Sequence, residues 1–250
     1  MIRNILKKLG LLQRAREIYR LTPNYLKKER EEMKFLHQFI KPNDLVFDIG
    51  ANIGDKTFTF TKCGAKVVAV EPQSKCIQSL QNHTNDFDNI RVIHMGVGSK
   101  EGKCKIRICD EYDTLSTMSK DWEDKSRFKN NHWIKEEKVD MTTLDNLILW
   151  FGLPKYCKID VEGYELEVLK GLTNKIPFIS FEYTKEFTEK ADECMQQLEK
   201  IGKPLFCFRE RAKPYFKFDI WDNRKETIKK LKEINDDDLW GDIFVKWMKK

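Results

Sequence analysis

From about residue 44 the chain alternates short apolar stretches with helix-like ones. DLVFDIG (44–50) and KVVAVEP (66–72) read as strands, the second ended by Pro72 because proline cannot extend a ladder. Between them DKTFTFTKCG (55–64) reads as a short helix stopped by Gly64. SKCIQSLQNHTN continues as a helix, RVIHMGVGS as a strand and KCKIRIC as another, with the turn KEG between the last two. YCKIDVEG is a strand, YELEVLKGL a helix closed by Gly171, FISFEY a strand, and 186–201 a helix. PLFCFRE and DIFVKW are late strands. Strands rich in Val and Ile, separated by helices, predict an α/β fold: a mostly parallel sheet with helices on both faces. Ligands of such sheets bind outside the carboxyl ends of the strands. The residues that matter are therefore Gly50–Gly54, Glu71, Gly96–Gly98, Asp160–Gly163 and Glu182.

A chain of 250 residues suffices for one large domain, or for a domain with an appendage. The division expected is a helical extension at 1–40 and the α/β domain at 41–250. The extension begins MIRNILKKLGLLQRAREIYRL, which is basic and amphipathic but lacks a signal-peptide core. It reads as a helix docked on the domain; the sharper alternative is weak contact with a membrane surface or partner. No apolar run reaches membrane-spanning length. The net charge of +6 comes from 46 basic and 40 acidic residues without a dense basic cluster, so no nucleic-acid partner is expected. Seven cysteines, an odd number without a CxxC pair, point to reduced thiols and a cytoplasmic location. The four histidines share no metal-ligand spacing with them, which argues against zinc; acids cluster at the strand ends, so metal dependence stays open, but no ligand set is specific enough to name.

In DIGANIG, Gly50, Asn52 and Gly54 stand at even spacing behind Asp48. All three tolerate positive φ, and glycine lets backbone approach a ligand closely. The dinucleotide fingerprint G-x-G-x-x-G is not matched, since Asp55 stands where its last glycine belongs. That weakens the reading as a nicotinamide-dependent oxidoreductase. Asp48 at the strand end disfavours a pyrophosphate and suits a cation. Glu71, 23 residues further on, can accept hydrogen bonds from both hydroxyls of a ribose. The ligand implied is a nucleoside with a positively charged, phosphate-free tail, a description that S-adenosylmethionine fits. Gly50 is expected to be glycine because the ligand lies over it. Replacing Glu71 is expected to spare folding, because it ends a strand.

DxGxNxG, VVAVEP, GVGSKEG, TTLD and KIDVEGYELEVLKGL, in this order, resemble the FkbM-type methyltransferases over residues 44–183. The resemblance implies a Rossmann-like class I methyltransferase sheet, S-adenosylmethionine as cofactor, and transfer mostly to hydroxyl oxygens. It makes Asp48, Gly50, Asn52 and Gly54 the cofactor loop, Glu71 the ribose acid, and Gly96 and Val97 the adenine-side wall. Many class I enzymes carry an aspartate after this last strand; Ser99, Lys100 and Glu101 follow here. The acceptor implied is a sugar, a glycan or a small metabolite bearing a hydroxyl. A non-catalytic binding module of the same fold is the alternative.

Three residues are candidates for the general base: Asp160, Glu182 and His132. Asp160 and Glu162 can equally serve as acids at a helix start. Glu165 and Glu167 read as the solvated side of the following helix, Leu166 and Leu169 as its core side. His132 lies in an irregular, aromatic-dotted insertion at 110–138, which reads as a lid over the acceptor or a fixed surface elaboration. Within it Ser116, Thr117 and Lys120 either contact substrate or cap a helix.

Overall fold

The computed structural model describes residues 18–84, 87–109, 116–127, 133–211 and 213–248. In chain order the elements are α1 (Pro23–Leu36), β1 (Leu45–Ile49), α2 (Asp55–Lys62), β2 (Lys66–Val70), α3 (Ser74–Thr84), β3 (Ile90–Ile93), β4 (Gly96–Val97) and β5 (Gly102–Cys109). There follow α4 (Lys120–Lys125), β6 (Trp133–Thr142), α5 (Leu144–Phe151), β7 (Tyr156–Ile159), α6 (Glu165–Lys170) and β8 (Phe178–Thr184). The chain closes with α7 (Thr188–Glu199), β9 (Pro204–Glu210), α8 (Arg224–Glu233) and β10 (Trp240–Trp247).

Seven strands form the main sheet in the order β3-β2-β1-β7-β8-β10-β9. The pairs from β3 to β8 are parallel, and β10 runs antiparallel to both β8 and β9. The chain leaves β1 for β2 and β3 on one side and returns to β7 on the other. The carboxyl ends of β1 and β7 therefore flank a topological switch point, where such sheets open a crevice.

Strand alternation sorts the core into two layers. Val46, Val67, Tyr156 and Phe244 face α1 and α2, packing with Phe35, Leu36, Phe39, Ile40 and Phe60. Phe47, Ile49, Val68, Val70, Cys157, Ile159 and Phe181 face the opposite way, onto Leu144, Leu147, Leu169, Met195 and Leu198 of the other helices. Helix α1 starts at a Thr22 cap that accepts the Tyr25 N–H, with Pro23 in the first turn where its missing N–H does no harm. Its far end buries Phe35 and Leu36 at 1% and 2% exposure. Each such side chain contributes about 2 kcal/mol by leaving water. The described part of the N-terminal extension thus shares a core with the sheet. Among the described residues no helix is long and apolar enough to cross a membrane.

The insertion is more ordered than its composition suggests. Its described parts hold α4, capped by the Ser119 hydroxyl, and most of β6, which joins β4 and β5 in a three-stranded sheet. β6 escapes notice in the sequence because Glu136, Lys138 and Asp140 are exposed, while Val139 and Met141 turn inward, against Ile106. The expected third strand also divides: it leaves the main sheet at Ile93, and Gly96–Val97 pairs with β6 instead.

Candidate active site

The glycine loop lies where expected, at the carboxyl end of β1. Gly50, Asn52 and Gly54 have φ of 81°, 49° and 91°. A Cβ on Gly50 would stand 1.8 Å from the Asp160 carbonyl oxygen, so the chain leaving β7 by itself forbids a side chain there. Gly54 caps α2, and a Cβ there would meet Leu80 Cδ1 at 2.5 Å. Asp48 is 1% exposed and accepts the Thr57 hydroxyl at 2.6 Å beneath the loop. Burial pushes its carboxyl up to about 6. Neither Asp48 nor Gly54 lines the adjoining cavity, which Gly50 and Asn52 do. Asp48 and Gly54 hold the loop's shape from below.

Glu71 joins two loops. One of its carboxylate oxygens accepts the Asn52 N–H and the other the Gln73 N–H, each at 2.8 Å. It is 2% exposed, and burial raises its carboxyl to about 7 despite those two donors. Replacing it therefore removes the acceptors of two backbone N–H groups, contrary to the expectation that folding would be spared. Each carboxylate oxygen has a second lone-pair site, so two hydroxyl donors can still be accommodated. The cavity beside it continues past Pro72 and Gln73 to Gly96 and Val97 and is roofed by Ile106, Ser116, Thr117 and Met118. Its far side is Asp160, Val161 and Glu162. Described parts of the insertion border two cavities: Ser116, Thr117 and Met118 line this one, and Ser119, Asp121 and Trp122 line a second that also touches Gly163, Glu165 and Glu182. Thr117 donates its hydroxyl to the Glu162 carbonyl at 2.5 Å, and Ser116 accepts the Cys109 N–H.

A row of charged side chains crosses the α1 face of the sheet. The register sets Asp48 opposite Lys158, Lys158 opposite Ser180, Glu182 opposite Asp242, and Asp242 opposite Arg209. Lys158 is 5% exposed, with its Nζ 3.1 Å from both Asp160 Oδ2 and Asp242 Oδ1. Burial opposes its charge, but those two carboxylates outweigh burial and raise its pKa well above the usual value. Asp160, Glu162 and Glu182 converge so that one carboxylate oxygen from each lies within 4.8 Å of the others. Burial, then the charges of Glu182 and Asp160, push Glu162 well above the usual carboxylate range; burial, then Asp160 and Glu165, do the same to Glu182. Glu165 is not solvated as expected: it is 8% exposed, accepts the Val161 and Gly163 N–H groups, and is raised to about 7 by burial. Glu167 does lie outward, bonded to Lys170 and Ser99.

Behind this cluster opens a cleft of about 480 Å³. Its walls come from α1 (Tyr25, Lys28, Glu32), from Lys56, and from the β9–β10 region (Arg209, Arg211, Trp240, Asp242). Arg211 lies 3.5 Å from the Trp240 ring centroid. Asp160 lines both the cleft and the cavity beside Glu71. The structure therefore brings Asp160 and Glu182 together, whereas His132 lies outside the described residues. Lys158, Asp242, Arg211 and Trp240 belong to the site but were not singled out from sequence. The signal for the first two is the polar residue at every second strand position, which gains meaning only with the register.

The strand order, the glycine loop and the acid after β2 define a class I methyltransferase domain. The chain belongs to the FkbM family: the Methyltransferase FkbM domain matches residues 48–205. Domains of this family draw their methyl group from S-adenosylmethionine, which the Glu71 cradle and its cavity fit. The chain is 26% identical over 171 residues to the hexuronic acid methyltransferase AglP of Haloferax volcanii, covering 68% of this chain and 66% of that protein. It thus spans slightly less than two thirds of that relative. Among solved structures it is similar to a putative methyltransferase from Streptococcus mutans in complex with SAH, at 10% identity and a TM-score of 0.45 over 87% of this chain and 96% of that one. An rRNA methylase from Streptococcus thermophilus aligns at 11% identity and 0.44 over 91% and 98%.

Proposed function

We propose that this protein methylates a hydroxyl of a sugar, with a uronic-acid sugar or a glycan containing one as the acceptor. The observation that carries the reading is the position of Asp160, which borders both the Glu71 cavity and the larger cleft. A group that touches both pockets stands where donor and acceptor must meet. The aromatic rings of Tyr25 and Trp240 suit the apolar faces of a sugar, and Arg211 and Lys28 offer charge to its carboxylate. The name of the Haloferax volcanii relative points to the same acceptor class.

In this reading Glu71 holds the ribose, Gly50 and Asn52 the loop side of the cofactor, and Gly96 and Val97 the adenine side. When bound, S-adenosylmethionine supplies a methyl group on a sulfonium, ready for in-line displacement. The protein's task is then placement of the hydroxyl and removal of its proton. Asp160 or Glu182 accepts that proton. Lys158 fixes the Asp160 carboxylate by its 3.1 Å contact. We read residues 1–40 as an extension docked on the domain at 41–250. The location proposed is cytoplasmic, in keeping with seven unpaired cysteines.

The test is incubation with methyl-labelled S-adenosylmethionine and a panel of free and uronic-acid sugars, with the product located by NMR. Label on a sugar oxygen, lost in Asp160→Asn with cofactor affinity retained, is the expected result. Tight cofactor binding without transfer to any sugar would leave a binding module or another acceptor.

A further inference from the structure

We infer that Asp160, Glu162 and Glu182 bind one divalent cation at the mouth of the acceptor cleft, of the oxygen-preferring kind represented by Mg²⁺, Mn²⁺ and Ca²⁺. The use of the cation in methyl transfer rests on the function proposed above; its binding does not.

Three carboxylate oxygens from these residues lie within 4.8 Å of one another. Oxygens held about 2.0–2.6 Å from one ion stand at such separations. A second observation singles the place out: Glu182 Oε2 is buried and receives no hydrogen bond among the described residues. A carboxylate oxygen removed from water without a partner is unfavourable, and a cation is the partner that suits it.

The neighbours explain why the ligand set is these three. Glu165 is committed, since its Oε1 accepts the Val161 and Gly163 N–H groups. Asp242 and one oxygen of Asp160 face Lys158. Lys158 is thus already shared by two carboxylates. Arg211 sits 3.5 Å from the Trp240 ring centroid, and Glu182, Asp160 and Glu162 act on its charge from a distance, none of the three forming an ion pair with it. An all-oxygen set selects hard cations rather than zinc. The spacing of histidines and cysteines could not reveal it, because the ligands come from the ends of two neighbouring strands. A cation held here borders the cleft, where it can bind an acceptor oxygen and polarise its O–H bond.

The experiment is titration of the EDTA-treated full chain with Mn²⁺, followed by electron paramagnetic resonance of the free ion and by thermal melting. One site is expected, with Mn²⁺ raising the melting temperature. Glu182→Gln and Asp160→Asn should each weaken binding by about tenfold or more, since site affinity follows ligand charge. Asp219→Asn, a substitution on an exposed surface, should bind as the wild type does. Absence of a stoichiometric site below about 1 mM Mn²⁺ overturns the inference, as does equal binding by the Glu182 and Asp160 variants. Mn²⁺ binding together with failure to methylate any sugar would remove the acceptor reading and leave the cation site standing.

Discussion

The ionisation of Glu71 should make cofactor binding depend steeply on pH. In the free protein its carboxyl is raised to about 7 by burial, against the two backbone N–H groups that favour the charged form, with a small added push from Asp48. A ribose donating both hydroxyls to this group prefers the carboxylate, so binding must expel the proton wherever Glu71 carries one. With a free value near 7 and a bound value restored toward about 4.5, roughly ten in eleven molecules are protonated at pH 6. Apparent affinity should then fall about tenfold from its plateau at pH 6 and about a hundredfold at pH 5, with little change above pH 8. Stability of the free protein follows the same linkage. The raised folded value means that this group's contribution is full below about 4.5 and is lost as pH rises through about 7, an order-of-magnitude 3 kcal/mol at most. Calorimetric titration with S-adenosylmethionine from pH 5 to 8.5, in two buffers of different ionisation enthalpy, reads both affinity and protons released. Glu71→Gln should flatten the profile. Glu71→Ala is the poorer probe, because it orphans the Asn52 and Gln73 N–H groups at about 1–3 kcal/mol each if water does not replace the carboxylate. Constant affinity between pH 6 and 8, with no proton released, would refute the placement of Glu71 on the ribose.

What could be read from the chain were features set by local order. A strand, a turn of glycines and a helix follow one another in DIGANIGDKTF, and Glu71 ends the next strand, so this half of the site needs no knowledge of packing. Asp160 and Glu182 were also accessible, because neighbouring parallel strands place their carboxyl ends together. The rest depends on register and on close approach. Gly50 looks like a ligand glycine until the Asp160 carbonyl is found against it. Glu165 looks solvated by helical spacing until two loop N–H groups are found to claim it. Lys158 and Asp242 lie 84 residues apart and meet only because β7, β8 and β10 are adjacent. The cleft proposed for the acceptor draws walls from residues 19–32 and 209–242, two segments outside the family match at 48–205. No local pattern announces such a pairing.

Gly50→Ala should lower stability by about 3 kcal/mol or more, or prevent folding, because the backbone of Asp160 must move. A variant that melts like the wild type and merely loses cofactor would contradict this. Glu32, held by Lys56 and Arg209, has its carboxyl lowered to about 2: burial pushes it up, and the two cations outweigh burial. Its contribution, about 3 kcal/mol as an upper figure, is present above about 4.5 and lost as pH falls toward 2. Urea denaturation of Glu32→Gln should therefore differ from wild type at pH 7 and converge with it near pH 2. The last prediction concerns Lys158. Its ammonium is buried between Asp160 and Asp242 at 3.1 Å from each, while those two side chains keep 35% and 22% of their exposure. Lys158→Met leaves two partly solvated carboxylates facing each other without a counter-charge. Fully buried pairs broken in this way lose about 3–5 kcal/mol, and the partial exposure here reduces the expectation to about 2 kcal/mol. Adding Asp242→Asn removes one of the stranded charges, so the double variant should regain much of the loss. A double-mutant cycle by chemical denaturation measures this coupling. Strictly additive losses would mean that the Lys158–Asp242 contact contributes no coupling, contrary to the burial of the ammonium between the two carboxylates.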